Sequence, residues 1–287
     1  MNQRRQDCHS ERSEESGSCV GLRRFFVALR MTVAVALISL AGCATKDNNV
    51  KLLRSGFNAL DAHQYGQALS AADQVLAANP QKTLPAEAHY LRGRALEGQA
   101  MANPSQLASG LQQARSEYIE AIGLPHKPDL EGRARAGVAI VAFYQDDYST
   151  AYAQWQEAFP KLEKPEDRAQ TLYRLGQTAQ RLGRWDEADN YFAQAQQTAP
   201  GTDLAEKARQ HMGARAFTVQ LATFGDGHQA AAAVAELKRQ GVTATSSPDP
   251  ANSSHYLLRV GPLRTYAEAK VLKNRFAATY PAALILP

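Results

Sequence analysis

Four segments of the chain repeat one arrangement of side chains, and that arrangement dictates helices packed in pairs. In each, an apolar or aromatic residue precedes an alanine by three positions. A second bulky or apolar residue follows the alanine by four, and a small or apolar one by seven. The segments are Tyr65-Ala68-Ala72-Val75, Leu111-Ala114-Tyr118-Ala121, Tyr148-Ala151-Trp155-Ala158 and Trp185-Ala188-Phe192-Ala195. Steps of three and four keep all these positions on one helical face. An alanine at a fixed place on that face lets a partner helix cross close to it, and the aromatic one turn later fills the groove alongside. Units of this kind bury their apolar faces by stacking on one another, so residues 51–215 are predicted to form an all-α array.

The fourth unit carries Leu172, Leu175-Gly176, Ala179, Gly183, Ala188, Phe192, Ala195 and Pro200. Leu-Gly in a first helix, alanine and phenylalanine in a second, and a closing proline resemble the tetratricopeptide (TPR) repeat. The first unit matches through Leu52, Gly56, Ala68 and Pro80. The second holds an insertion, residues 98–110, between its helices. The third has Val138-Ala139 where Leu-Gly is expected. Residues 202–215 read as an amphipathic helix that caps the array and shields an apolar edge. Trp155 and Trp185 occupy repeat-pattern positions and read as core. The resemblance implies a superhelix whose concave groove takes a protein partner, with Arg92, Arg94, Arg133 and Arg135 as candidates to face it; a spacer without a ligand is the alternative.

At Ala216 the period changes from the helical one to two. Residues 217–224 alternate, with Val219 and Leu221 on one side and Thr218, Gln220 and Ala222 on the other, the pattern of a half-buried strand. A helix over 228–240 follows, with Gly241 as its C-terminal stop. A strand over 242–247, a loop and a strand over 255–263 come next. The unit closes with a helix over 265–280, N-capped by Thr265, and a strand over 282–286. The order is βαββαβ, an antiparallel ferredoxin/RNP-like sheet with both helices over one face. Val219-Gln220-Leu221-Ala222-Thr223-Phe224, then Ala233, Leu237 and Gly241, then Tyr256-Leu257-Leu258-Arg259-Val260-Gly261-Pro262-Leu263 resemble a SPOR (sporulation-related repeat) domain across 216–287. The fold class expected is therefore multidomain, an all-α TPR superhelix followed by a small α+β SPOR domain. The resemblance implies binding of peptidoglycan glycan strands stripped of stem peptides. A neutral, hydroxyl-rich polymer calls for an open surface of amide, hydroxyl and guanidinium groups with some apolar area. Gln220, Thr223, Leu257 and Arg259 are the expected glycan-binding residues, while Tyr256, Leu258 and Val260 point to the core and Phe224 reads as core. Ala222 stands where glycine is frequent in the family.

Ahead of the repeats, residues 1–19 are polar, charged and without apolar periodicity. Arg23, Arg24 and Arg30 precede an apolar run from Met31 to Leu40, too short to span a bilayer and suited to an export signal. Leu40-Ala41-Gly42-Cys43 resembles the lipobox of bacterial lipoproteins. The resemblance implies removal of residues 1–42, lipidation at Cys43, and a polar tether over 43–50. Acyl chains would hold the protein on a membrane without a spanning helix. Ala44 after the cysteine favours the periplasmic face of the outer membrane.

The net charge of +4 is mild, and Gln220 and Arg259 stand where RNA-binding sheets of this topology show aromatics, so nucleic acid is excluded as a partner. The six histidines from His63 onward are isolated, and no phosphate loop, GxGxxG, GxSxG or HExxH occurs, so neither enzyme activity nor a cofactor is expected. Asp146-Asp147 and Asp186-Glu187 fall at inter-helix turns, where solvation explains them. Together these readings describe a lipid-anchored periplasmic adaptor for cell division or wall remodelling. The alternatives are an assembly or pilot lipoprotein for an envelope secretion or pilus machine, and a regulator of a wall enzyme.

Overall fold

A computed structural model describes residues 48–78 and 84–287. The export signal, Cys43 and Pro80 lie outside the described residues. Helices pair as the periodicity requires. They are α1 over 48–61, α2 Tyr65–Ala78, α3 Pro85–Ala102, α4 Leu107–Gly123, α5 Pro128–Tyr144, α6 Tyr148–Ala158, α7 Pro165–Arg181, α8 Trp185–Thr198 and α9 Asp203–His211. Helix α1 already runs through 48–50, the end of the expected tether.

The repeat positions form the core. Ala68, Ala72 and Val75, then Leu111, Ala114 and Tyr118, then Ala151 and Trp155, then Ala188, Phe192 and Ala195 are all buried. Close crossing is enforced by glycine in the facing helix. A Cβ on Gly176 would lie 2.6 Å from the ring of Phe192, so α7 and α8 can approach this closely only without a side chain there. In the third unit Ala139 takes the glycine's place and is buried with Ala151 and Trp155 of α6, while Gly137 faces Tyr118 of the preceding unit; a Cβ there would sit 2.4 Å from that ring. Four short inter-helix turns pass through a left-handed residue, His63, Asp146, Gly183 and Gly201. The insertion over 98–110 is largely helical. It lengthens α3 to Ala102 and lets α4 begin at Leu107, with a single 3-10 turn, Pro104–Gln106, between them. Capping helix α9 lays Ala205 and Ala208 into the array, and the His211 ring stacks on Phe192 at 5.4 Å.

The C-terminal unit consists of β1 Phe217–Phe224, α10 Gly227–Arg239, β2 Ala244–Asp249, β3 Asn252–Leu263, α11 Tyr266–Arg275 and β4 Leu284–Leu286. All pairings are antiparallel, in the order β2-β3-β1-β4. Phe217, Val219, Leu221, Leu258 and Val260 face Leu237 of α10 and Ala269 of α11 in one core. Gly241 takes a φ of 75° after α10, as its position predicts. Thr265 and Glu268 form a reciprocal capping box on α11, which ends at Arg275, five residues before the expected stop. The stretch expected to loop between the two middle strands is mostly strand instead. β2 continues through Pro248-Asp249 and β3 starts at Asn252, because Asp249 caps a tight turn by accepting from the Ala251 N–H at 2.9 Å.

The two units touch. Trp185, expected in the repeat core, turns its ring to Phe217 at 4.9 Å. Tyr148 meets Tyr266 edge-on at 5.6 Å, and the Arg181 guanidinium lies 3.6 Å over the Tyr266 ring. Asp146, read from sequence as merely solvated, accepts from Tyr148 and pairs with Lys270 of α11.

Candidate functional site

Two surfaces result from this packing. The first is the sheet face opposite α10 and α11. Strand pairing lines up Thr245, Arg259, Gln220 and Leu284 in one row across all four strands. The next row holds Ser247, Leu257 and Thr223. Gln220 and Thr223 share a face although they stand three positions apart, which simple alternation forbids. A β-bulge resolves this: Gln220 pairs with Arg259 and Ala222 with Leu258, so Leu221 and Ala222 both oppose one residue and both turn to the core. Ala222, expected on the open face, therefore packs against the core cluster. The bulge re-aims Thr223 outward.

Arg259 donates from Nε and Nη2 to the Gln220 Oε1, each at 3.4 Å. Among the described residues it has no carboxylate partner, and neither row contains one. The pair offers a positioned amide and guanidinium, flanked by the hydroxyls of Thr245, Thr223 and Ser247. Leu257 stands on this face as predicted, outside the core cluster, yet it is only 4% exposed between Thr223 and Ser247. It props the face and presents little area. Leu284, 54% exposed beside Gln220, supplies the apolar area instead. Sequence reading placed 282–286 in a strand without choosing its face; the register against β1 makes the choice. Phe224 packs against the core cluster, in agreement with its reading. The repeat array docks through Phe217, Tyr266 and Lys270, so none of those contacts crosses this row.

The second surface is the concave side of the array, where α3, α5 and α7 enclose a cavity of about 300 Å³ lined by Tyr90, Arg94, Arg133, Ile140, Trp155 and Gln170 among others. Of the four arginines expected there, two line it. Arg92 turns instead to Asp73 and Glu117, and Arg135 is spent on Glu131 and Glu157. The Arg135 hydrogen bond holds the Glu131 carboxyl down at about 2, with Lys161 and His126 assisting. Among the described residues there is no cluster of three metal-ligating side chains, and no helix is long and apolar enough to cross a membrane.

Comparison with known proteins agrees with this architecture. Residues 213–287 match the SPOR domain, and residues 169–202 match the tetratricopeptide repeat. The chain thus carries a C-terminal SPOR domain and at least one TPR repeat. SPOR domains bind peptidoglycan and TPR repeats mediate protein interactions; both are binding domains, not catalytic ones. Among solved structures, the thermophilic TPR protein TTC0263 from Thermus thermophilus is 18% identical at a TM-score of 0.48, over 65% of this chain and 93% of that one. Pseudomonas aeruginosa pilF is 15% identical at a TM-score of 0.46, over 83% and 95% of the two chains. MamA is 20% identical at a TM-score of 0.40, over 56% and 81%. No curated protein matches the chain.

Proposed function

We propose that the protein is a lipid-anchored periplasmic adaptor that binds denuded glycan strands on its SPOR sheet and a protein partner in its repeat groove, acting in cell division or wall remodelling. The observation that carries the reading is the open row Thr245-Arg259-Gln220-Leu284. Sugar hydroxyls both donate and accept, and an amide–guanidinium pair beside hydroxyls meets them on both counts. Leu284 gives a sugar face somewhere apolar to rest. Two rows without a carboxylate also suit a neutral polymer better than a cationic peptide. Anchoring through Cys43, on the periplasmic side of the outer membrane, extends the lipobox resemblance. Tethering at one end raises the effective concentration of the second contact, so weak modules localise together better than either alone.

Two measurements test the glycan reading and a third the partner reading. Sedimentation of the chain with denuded sacculi and with peptide-bearing sacculi should show preference for the denuded wall, and equal or absent binding removes the glycan assignment. Combined Gln220→Ala and Arg259→Ala should abolish septal enrichment of a tagged protein in dividing cells. Site-specific crosslinking from Ala136, on the groove wall, should trap a protein partner in the same cells. Loss of residues 216–287 with localisation and phenotype intact would favour the assembly-factor alternative.

A further inference from the structure

The concave cavity between α3, α5 and α7 has a chemical bias that the repeat pattern does not require. Its wall is rich in donors without acceptors. Trp155 is 2% exposed, and its Nε1 is buried with no hydrogen-bond partner among the described residues. Arg133 gives Nη2 to Asp129 at 2.9 Å, while its Nε is likewise buried and unpartnered. Arg94 donates to the Tyr90 hydroxyl at 3.1 Å and has no carboxylate within ion-pair distance among the described residues. Tyr90 holds the two guanidiniums near one another, because Arg133 also lies 5.2 Å over its ring. Besides Asp129, which pairs with Arg133, two more acidic groups stand close by. Glu97, one turn beyond Arg94, accepts from the Tyr118 hydroxyl, and burial pushes its carboxyl pKa up, against the pull of Arg94. Asp167 lines the cavity from the first turn of α7, where the helix N-terminus favours a negative charge. The lining itself is therefore two guanidiniums to one carboxylate, beside an apolar wall of Ile140 and Trp155.

Buried donors of this kind cost stability unless an acceptor reaches them. A helical ligand keeps its carbonyls to itself, whereas an extended backbone offers them freely. Two guanidiniums fixed around one phenol are arranged for a carboxylate.

Resting on the reading of this groove as the partner site, we propose that it takes an extended acidic segment of the partner protein, with a Glu or Asp side chain between Arg94 and Arg133 and an apolar neighbour against Ile140 and Trp155. The two tryptophans of the chain are Trp155 and Trp185, so Trp185→Phe leaves one indole, on the cavity wall. Three capped pentapeptides that alternate leucine with glutamate, glutamine or lysine are titrated against the chain in this form. The glutamate peptide should shift the Trp155 emission and bind at least about tenfold more tightly than the glutamine peptide, the scale of a charge-assisted hydrogen bond. Arg94→Gln should lower the glutamate peptide to the glutamine level and leave the glutamine peptide unchanged. Arg94 is exposed as a residue and glutamine keeps a donor for the Tyr90 hydroxyl, so this variant should keep its fold, which its circular dichroism melt verifies. Equal affinity for glutamate and glutamine, preference for lysine, or an Arg94→Gln variant that binds as before overturns the acidic assignment and leaves the groove as a peptide site. Absence of binding by all three also overturns it, and crosslinking from Ala136 then judges the partner reading separately.

Discussion

Replacing Tyr266 by alanine should free the SPOR domain from the repeat array while leaving both folded. Tyr266 is the first residue of α11 and bridges the units. Its ring meets Tyr148 edge-on at 5.6 Å and carries the Arg181 guanidinium at 3.6 Å. An edge-on aromatic pair contributes about 0.5–1.5 kcal/mol beyond its area, and a partly desolvated cation–π contact about 1–2 kcal/mol. The substitution thus removes about 1.5–3.5 kcal/mol of docking energy, roughly a 10- to 400-fold shift toward the undocked state. The Lys270–Asp146 pair remains, but both partners are more than 40% exposed, and such pairs contribute at most about 1 kcal/mol. Trp185 against Phe217 is then the main contact left. Burial also works against the Arg181 charge, pulling its pKa down, and one of its nitrogens has no hydrogen-bond partner among the described residues. Part of what the ring supplies is therefore relief of that cost. The assay is nuclear spin relaxation: one rotational correlation time for both units in the parent chain, and a shorter one for residues 217–286 in Tyr266→Ala. Since Tyr266 also touches Phe217 inside the SPOR core, Tyr148→Ala serves as the second arm, because it removes an interface ring from the array side alone. If both variants tumble as the parent does, the aromatic–cation cluster does not hold the units together.

Gly176→Val should lower the unfolding midpoint of the helical part by several degrees in circular dichroism melts. The added side chain meets the Phe192 ring, and overpacking of this kind costs about 1–3 kcal/mol. Leu284→Ala should weaken sacculus binding severalfold with no change in melting temperature, since the side chain is more exposed than buried; a destabilised variant with intact binding would show that it serves the fold instead. Capping helix α9 should loosen in acid. Burial lowers the His211 pKa, with Arg181 adding to the effect, so the folded form resists protonation more than the unfolded chain does. The stability it contributes is complete above about pH 6.5 and is lost as pH falls through the folded-state value. Hydrogen exchange over 203–211 at pH 8 and pH 5 should show the difference, and His211→Gln should flatten it.

The repeats were legible in the sequence because their determinants are local. Steps of three and four, an alanine at the crossing point and an aromatic one turn on all lie within a single helix. The strands were legible for the same reason, as were Gly241 and Thr265 at the helix ends. What escaped was set by residues far apart. Asp146 looked solvated because Lys270, its partner, lies 124 positions away. Trp185 looked like repeat core because nothing near it in the chain points to Phe217. The bulge at Leu221-Ala222 escaped because strict alternation over 217–224 puts Ala222 on the open face with Thr218 and Gln220. Only pairing with β3 shows them opposing Leu258 together, and that one extra residue turns Thr223 outward and Ala222 inward.

The docking contact and the candidate glycan row fall on opposite sides of one sheet. Phe217 and α11 face the array, whereas Gln220 and Arg259 face away from it. Their separation follows from the pleat, since Phe217 and Gln220 lie on one strand three residues apart and point to opposite faces. Helix α7 links the groove to the docking contact: Gln170 lines the groove cavity, and Arg181, three turns further on, packs on Tyr266. A partner seated in the groove and a glycan laid across the sheet would therefore contact different surfaces of one docked unit, and neither would need to displace the other. On the proposed function, wall and partner are held together by a fixed geometry as well as by tethering. The Tyr266→Ala variant separates the two contributions: it should keep each affinity measured alone and lose any enhancement that depends on both ligands being present.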